Sequence, residues 1–346
     1  MKKIIFGLGL CFLYLSLTAW GQEPKPEAEE GQTITPAQGA TAETPGLEKP
    51  VVKPAQGATA QAPEKAKPGA QYPAKEIDRP LLIPPKSYEM RTFASYFSTH
   101  QGFDGDGNSE RLPRSWRMFT ASLSQGYGLF SWAEIGGSVD FYSGQEVYAK
   151  GQNIGDFSAY SVFRLYQSKN KDRELAAGLR TSFPTGNPHR KETLEDDQSR
   201  PDGLTTGDPS VDFFPFLQSR WSFGQFALRG FVEYGYHLPG KIQVGIDVLD
   251  EFKNFAPGAT LSARIDGIYQ HNDKLALLAR LNYLSQAENK LDGESLDDAT
   301  QLLSLIPGME FQLGPDYDLL LMVELPLLGK NYPRGYPVIA GLKSRF

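Results

Sequence analysis

Residues that commonly carry out covalent chemistry are few in this chain and are widely separated. The four histidines, all in predicted loops, turns or strand ends, are His100, His189, His237 and His271. No two of them have His-x-x-x-His spacing, and no G-x-S-x-G sequence marks a nucleophilic serine. Ser168 to Lys171 matches S-x-x-K by letter only, without its companion motifs. We therefore expect no enzymatic activity, no metal site and no cofactor.

Two acidic stretches lie in predicted loops. The first begins like a calcium-binding loop: Asp104, Asp106, Asn108 and Glu110. Its sixth position is Ser109 rather than Gly, and its twelfth is Ser115 rather than an acid. The second stretch is Glu195 to Asp197. Both stretches either bind divalent cations weakly or keep their loops solvated, and we favour solvation.

Charged residues alternate with apolar ones along the predicted strands, which places the charges on one face. We predict that this face lines a lumen: Arg164, Arg180, Arg229, Glu233, Arg264, Asp266, Arg280, Glu310, Glu324, Lys343 and Arg345. In a permeation path these residues would select among charged solutes. Alternatively they pair across a narrow lumen and fill it, which costs less than leaving charges unpaired. For any single residue we favour the structural role. A lumen with both signs of charge fits weak ion selectivity.

The N-terminus has the pattern of a secretory signal. Two lysines follow the first Met, residues 4–19 are nearly all apolar, and the small residues Ala19 and Gly21 fit the −3 and −1 positions of a cleavage site. We predict a signal peptide over residues 1–21 and therefore an exported protein.

Cleavage would remove the only cysteine, Cys11. A lipoprotein signal built on that cysteine is the alternative, which the bulky Leu10 before it disfavours. The mature chain would then have no disulfide and no thiolate metal site. The formal net charge is −6. This balance argues against a nucleic-acid partner, because phosphate binding needs a basic surface.

Residues 22–85 differ in composition from residues 86–346. The first region is rich in Pro, Ala, Gln, Gly, Glu and Lys, and it contains the sequence PAQGATA twice. Such a segment cannot bury enough apolar area to offset its ordering entropy. We predict a disordered periplasmic spacer over 22–85, with a tether to peptidoglycan or a partner protein as the alternative.

From residue 86 to the end, segments of alternating apolar and polar residues repeat. Twelve strands are predicted: 87–98, 115–124, 129–141, 156–167, 174–183, 207–219, 224–236, 254–270, 275–287, 299–313, 318–327 and 336–346. No segment after the signal reaches the roughly 18 apolar residues of a membrane-spanning helix. Only a closed β-barrel spans a bilayer without such a helix, because every backbone polar group must be paired in lipid.

The predicted connections alternate between long and short. The long ones are 99–114, 142–155, 184–206, 237–253, 288–298 and 328–335, and the short ones are 125–128, 168–173, 220–223, 271–274 and 314–317. Outer-membrane barrels combine long outer loops with tight periplasmic turns. We therefore predict an all-β fold, an antiparallel up-and-down transmembrane β-barrel of about twelve strands over 86–346. A soluble β-sandwich would also alternate, but it has no reason to keep its long loops at one end.

The last strand supports this prediction. Its apolar residues alternate with Lys343 and Arg345, and the chain ends on Phe346. This resembles the C-terminal strand that the barrel-insertion machinery reads. Aromatic residues gather near predicted strand ends: Trp132, Phe157, Phe183, Trp221, Tyr236, Tyr269 and Tyr317. They indicate either girdles at the bilayer interface or simple strand propensity.

Three short motifs resemble those of a known family. Ile154 to Phe157 opens a predicted strand, Ser182 to Gly186 closes the next, and Gly203 to Pro209 begins the one after. This order is similar to the outer-membrane transporter family associated with meta-pathway degradation of phenol, over roughly residues 150–346. The resemblance implies a barrel that admits small organic molecules, with aromatic or poorly soluble ones among the candidates.

Together these patterns predict a location and three candidate functions. We expect a bacterial outer-membrane protein whose partners are lipid, a small-molecule solute and the insertion machinery. The favoured function is a pore or facilitated-uptake channel for small organic solutes. A non-transporting surface barrel, with long loops for adhesion or partner recognition, is the alternative. An outer-membrane hydrolase is a remote third.

Overall fold

A computed structural model of the chain describes residues 73, 75–145, 150–186, 206–244 and 251–346. The predicted signal peptide, most of the predicted spacer, His189 and the acidic run Glu195 to Asp197 lie outside the described residues. Within them the only helix is a 3-10 helix, Glu76–Asp78, and no helix there is long and apolar enough to cross a bilayer.

Strands make up nearly all of the remaining regular structure. They are β1 (Tyr88–Phe103), β2 (Ser109–Phe130), β3 (Ala133–Gln145), β4 (Lys150–Ile154), β5 (Phe157–Gln167), β6 (Arg173–Phe183), β7 (Asp212–Phe223), β8 (Phe226–His237), β9 (Gly240–Val244), β10 (Glu251–Ala256), β11 (Thr260–Asn272), β12 (Leu275–Gln286), β13 (Lys290–Leu291), β14 (Glu294–Ser295), β15 (Thr300–Gly314), β16 (Tyr317–Val323), β17 (Leu325–Lys330), β18 (Tyr332–Pro333) and β19 (Val338–Arg345).

Twelve of these strands form a closed antiparallel barrel, in which each strand pairs with its neighbours in sequence. The wall strands are β1, β2, β3, β5, β6, β7, β8, β11, β12, β15, β16 and β19. The first and last wall strands close the ring, with a register that runs from Glu89 opposite Arg345 to Tyr96 opposite Val338. The predicted fold class, strand number and up-and-down topology are confirmed.

The predicted long loops contain more strand than the sequence indicates. β1 runs on to Phe103 and β2 begins at Ser109, so the predicted loop 99–114 is reduced to residues 104–108. β4 pairs with β3, while β9, β10, β13 and β14 form a separate four-stranded sheet. Most residues in these extensions are polar, so the alternation of apolar and polar residues that indicates a strand is weak there. Their backbone groups nevertheless pair with one another.

The outward face of the wall is apolar and exposed. Leu217, Ile265 and Leu281, on three different wall strands, keep 46%, 58% and 43% of their surface accessible. A β-sandwich would bury such rows between its two sheets. A continuous exposed apolar band is instead what a barrel wall presents to lipid.

Aromatic side chains collect at both ends of this band. At the short-turn end Trp132 stacks between Phe130 and Phe163, with ring centroids 5.2 and 6.2 Å away. At the opposite end Phe157 stacks on Phe183 at 6.2 Å. These exposed rings at strand ends favour interfacial girdles over strand propensity alone.

Candidate permeation pathway

The segment before β1 lies inside the barrel. Ile77, Leu82 and Ile83 are almost fully buried, and Leu82 packs with Val162 and Ala176 of the wall. Residues 75–85 belong to the stretch that composition assigns to the spacer. We call residues 75–87 the lumen segment.

Backbone groups of the lumen segment are bound by charged residues of the wall. Leu81 N donates to Glu174 Oε2 and Ile83 N donates to Glu134 Oε2, each at 2.6 Å. Arg220 Nη1 donates to the carbonyl of Ile77, also at 2.6 Å. These contacts satisfy buried backbone groups that have no secondary-structure partner.

The lumen segment closes the short-turn end of the barrel. Each of its wall partners lies beside a different short turn. The partners are Glu134, Glu174, Arg220, Gln270 and Asp318, beside the turns 131–132, 168–172, 224–225, 273–274 and 315–316 in that order. These partners come from five different hairpins. The segment is therefore held around the whole circumference of this end.

A close approach at Gly128 seats the segment against β2. A Cβ atom at Gly128 would lie 2.1 Å from the carbonyl oxygen of Pro84 and 2.5 Å from that of Ile83. Lys86 N donates to the Gly128 carbonyl at 2.8 Å, and Gly128 N donates to the Ser87 carbonyl at 3.0 Å. Only a residue without a side chain fits at this point.

Acids and bases form one network between the lumen segment and the wall. Arg79 Nη1 lies 2.5 Å from Glu310 and 2.8 Å from Asp318, and it also pairs with Glu76. Lys343 Nζ lies 2.6 Å from Glu310. The network places several buried charges among partners of opposite sign, as a low-dielectric interior requires.

Beside this network lies a cavity of about 420 Å³ within the barrel. Seven of the eleven predicted lumen residues line it: Arg229, Arg264, Asp266, Arg280, Glu310, Lys343 and Arg345. Apolar side chains contribute as well, among them Phe93, Leu278 and Met322. The sequence analysis did not predict the apolar part of the lining. It identified inward positions by their charged residues, and apolar residues at such positions cannot be told from core residues in the sequence.

Most of the predicted lumen charges are paired. Arg229 lies 2.5 Å from Glu76, Arg280 lies 2.5 Å from Asp266, and Arg345 pairs with Glu89 and Asp318. Such pairing within the lumen is the structural role that the sequence analysis favours for individual residues.

The four remaining predicted residues do not line the cavity. Arg180 lies 2.7 Å from Glu233, Arg164 lies 3.9 Å from Glu174, and Glu324 accepts a hydrogen bond from Ser304 Oγ at 2.6 Å. Their contacts lie outside the lining of the cavity, and Arg164, Arg180 and Glu233 alternate with the lipid-facing residues of their strands.

Arg264 differs from the other cavity cations. In the described part of the chain no carboxylate lies within 4 Å of its guanidinium group, which stands over the Phe231 ring at 4.4 Å from the centroid. A cation–π contact adds no negative charge, so no carboxylate directly neutralises this guanidinium within the described residues. Arg264 is therefore the lining residue best placed to meet a negatively charged group of a solute.

The described parts of the three family-like motifs, which leave out residues 203–205, meet at the long-loop end. Asp156 accepts hydrogen bonds from the backbone N–H groups of Thr185 at 3.0 Å, Gly186 at 2.7 Å and Asp208 at 2.8 Å. Burial raises the pKa of the Asp156 carboxyl, although these N–H donors act against the rise. A Cβ atom at Gly207 would lie 2.3 Å from Asp156 Oδ1, which explains a glycine there. The motifs thus build one connected corner.

A cluster that the sequence analysis did not identify lies next to this corner. His237 Nδ1 is 3.2 Å from Asp208 Oδ2 and 3.2 Å from Asp212 Oδ1. The first residue of β7 is paired with the last residue of β8, which brings Asp212 and His237 together. Only the strand register shows this juxtaposition, because His237 is 25 positions from Asp212 in sequence.

The other chemical motifs have simple structural roles. Asp104 accepts hydrogen bonds from Asp106 N at 2.9 Å and from Asn108 N at 2.8 Å. These bonds, and the one from Asn108 most of all, lower the pKa of the Asp104 carboxyl. Ser168 Oγ accepts a hydrogen bond from Asp172 N at 3.1 Å within a short turn. These are turn contacts, and they fit the interpretation of Asp104 as part of a solvated loop and of Ser168 to Lys171 as a chance match.

Comparison with known structures agrees with the fold. The chain is similar to the COG4313 outer membrane channel from Pseudomonas putida F1, with a TM-score of 0.65 and 14% identity over 82% of this chain and 100% of that one. It is also similar to the NanC porin (TM-score 0.41, 7% identity, 73% of this chain and 98% of that one). A third similar structure is the deltaS2S3 mutant of TodX, a monoaromatic hydrocarbon channel (0.40, 11%, 79% and 92%).

At these identities the similarity concerns the fold, which is that of bacterial outer-membrane channels and porins. No family model and no curated protein sequence matches the chain.

Proposed function

We propose that this chain is a bacterial outer-membrane channel that admits small organic solutes, with aromatic and hydrophobic molecules among them. The lumen cavity carries the proposal, because its lining combines apolar side chains such as Phe93 and Leu278 with the cationic Arg264 and Arg280. Binding sites for small organic molecules combine apolar side chains with polar groups that fix the orientation of the ligand. This cavity offers both, and charged residues make up a large part of its lining.

The outer surface supports the membrane location. Exposed apolar side chains on the wall strands would contact lipid, and the aromatic ends of the band would lie at the two interfaces. Phe346 follows the last wall strand and has 59% of its surface exposed, and we propose it as a contact for the barrel-insertion machinery.

The family resemblance supports the same class of solute. Its three motifs converge on Asp156, so they specify one structural corner rather than three unrelated turns. A link to phenol degradation would make a small aromatic compound the solute.

Paired charges explain why we expect weak ion selectivity. Of the cavity-lining charges, Arg229, Arg280 and Lys343 each have an acidic partner within 4 Å. Their fields largely cancel at a distance, so a permeating ion would meet little net charge. We propose Arg264 as the residue that adds a preference for anionic groups.

Reconstitution of the full mature chain tests the proposal. Purified protein in planar bilayers should give discrete conductance steps, and proteoliposomes should take up phenol or benzoate faster than protein-free vesicles. Membranes that stay sealed both with the folded full chain and with the folded protein lacking residues 75–84 would rule out the channel.

A non-transporting surface barrel is the second candidate, and the lumen segment favours it. The segment fills the short-turn end and is bound to five hairpins, so a permanently seated segment would block passage. Deleting residues 75–84 separates the two functions. A channel regulated by the segment should conduct more after the deletion, while loop-mediated binding should be unaffected.

A further inference from the structure

The cluster of Asp208, Asp212 and His237 lies at the long-loop end, apart from the lumen cavity. One donor atom of each residue lies within 4.8 Å of the other two, and no other group of three such donors occurs in the described residues. The side chains of Asp212 and His237 are 2% and 7% exposed, and that of Asp208 is 34% exposed. The cluster is therefore buried on one side and reachable on the other.

Two atoms of the cluster lack a hydrogen bond. Asp212 Oδ1 and His237 Nδ1 are buried and lie 3.2 Å apart, but this contact does not have the geometry of a hydrogen bond, and neither atom makes another one among the described residues. Buried polar atoms nearly always have a partner, and a buried carboxylate needs a positive charge close by. Both atoms point toward the same small region, where a cation would satisfy them together.

The second ring nitrogen of His237 supports this arrangement. Nε2 lies 3.4 Å from Thr260 Oγ1, and the Phe214 ring packs edge-on at 5.4 Å between centroids. When Nε2 carries the proton and faces the hydroxyl oxygen, the lone pair of Nδ1 faces the two carboxylates. Metal-binding histidines are usually oriented in this way by a partner on the other nitrogen.

We propose that Asp208, Asp212 and His237 bind a divalent transition-metal ion, with Zn²⁺ as the reference ion. Ligands about 2.1 Å from a tetrahedral zinc ion lie roughly 3.4 Å from one another. The two Nδ1–oxygen separations of 3.2 Å are close to this value. Three protein ligands leave a fourth position for water. The imidazole nitrogen favours Zn²⁺, Ni²⁺ or Cu²⁺ over Ca²⁺ and Mg²⁺, which prefer all-oxygen sites.

The bound ion would join separate parts of the barrel mouth. Asp208 belongs to the segment before β7, whereas Asp212 and His237 begin β7 and end β8. The backbone of Asp208 is held by Asp156, so the metal would link the motif corner to the β7–β8 hairpin. The site acts on the structure of the mouth and does not depend on the proposed solute.

Calorimetric titration of the full mature protein with ZnCl₂ tests this proposal. The protein is purified in detergent without a polyhistidine tag and stripped with EDTA. We expect one saturable site, which His237→Gln and Asp208→Asn each weaken by at least about tenfold. His271→Gln is the matched control, because His271 is exposed in the short-turn region and should leave binding unchanged.

Cobalt gives an independent readout. Co²⁺ added to the stripped protein should produce visible d–d absorption bands that Zn²⁺ displaces and that His237→Gln abolishes. CaCl₂ should give no heat attributable to this site. Heat-modifiable migration on a denaturing gel identifies variants that still form the barrel.

Two results would overturn the proposal. One is Zn²⁺ binding of equal affinity in wild type and folded His237→Gln. The other is no saturable binding in the wild type, which would mean that a proton on His237 balances the two carboxylates.

Discussion

Arg79 of the lumen segment lies 2.8 Å from Asp318 of β16, although the two residues are 239 positions apart in sequence. Both side chains are almost fully buried, at 7% and 0% exposure. This pair anchors the segment that precedes the barrel to the hairpin next to its last strand. It therefore provides the most direct way to test what the segment does.

Arg79→Ala should release the lumen segment. Removing one partner of a buried ion network leaves uncompensated carboxylates and costs about 3–5 kcal/mol. We expect higher single-channel conductance and faster proteolysis near residue 79 in the folded barrel. Lys75→Ala is the control, since Lys75 makes only an exposed pair with Asp273. Unchanged conductance together with unchanged proteolysis would contradict the prediction.

Gly128→Ala should displace the segment from the other side. The new Cβ atom would lie 2.1 Å from the Pro84 carbonyl oxygen, so the segment or β2 must move. We expect conductance to rise while the heat-modifiable gel shift is retained. Gly314→Ala provides the comparison, because nothing lies within 4 Å of a Cβ atom there. Equal behaviour of the two variants would show that the close approach is unimportant.

Arg264→Gln should change which solutes pass. The substitution removes the positive charge that lies over Phe231. Among the described residues, no acidic group lies within 4 Å of this charge. We expect benzoate uptake into proteoliposomes to fall by about tenfold relative to phenol, corresponding to the loss of one charge-assisted contact. Lys274→Gln, in an exposed turn, should leave the ratio of the two rates as in wild type.

Asp156→Ala should weaken the corner where the motifs meet. The change removes the acceptor of three backbone N–H groups that are exposed or only partly buried, so each lost hydrogen bond should cost about 0.5–1.5 kcal/mol. We expect the temperature at which the heat-modifiable band unfolds to fall by several degrees. Asp106→Ala, in the exposed β1–β2 turn, should have no such effect. The prediction fails if both variants unfold at the wild-type temperature.

The wall of the barrel could be predicted from the sequence, because a period of two and the positions of the turns determine it. Lys343 and Arg345 were expected to face the lumen, and both line the cavity. The alternation holds wherever one face meets lipid, since a shift of one residue would place charges in the bilayer.

The lumen segment could not be predicted in the same way. Its residues follow a Pro- and Ala-rich stretch, and the short apolar run that contains Leu82 does not show what will bury it. The partners that bury it, among them Glu134 and Glu174, come from distant hairpins. Composition indicates only how much apolar surface a segment can bury by itself. Here the wall strands of the barrel bury the apolar side chains of the segment.

The histidine cluster escaped the sequence analysis for a related reason. A search for metal sites by short spacing finds ligands on one helix or one loop. Asp212 and His237 become neighbours only through the register of β7 and β8. That register depends on where both strands end, which is the least certain part of a sequence-based prediction.

The joint between the first and last wall strands constrains how this barrel is assembled. Tyr88 and Phe346 exchange two backbone hydrogen bonds, each at 2.9 Å, which extend the pairing of β1 with β19 by one further residue pair. The lumen segment is attached directly to Tyr88. The lumen segment can therefore be enclosed while β1 and β19 pair, and it need not enter a barrel that has already closed. We therefore expect the docking of the lumen segment and the pairing of β1 with β19 to occur together.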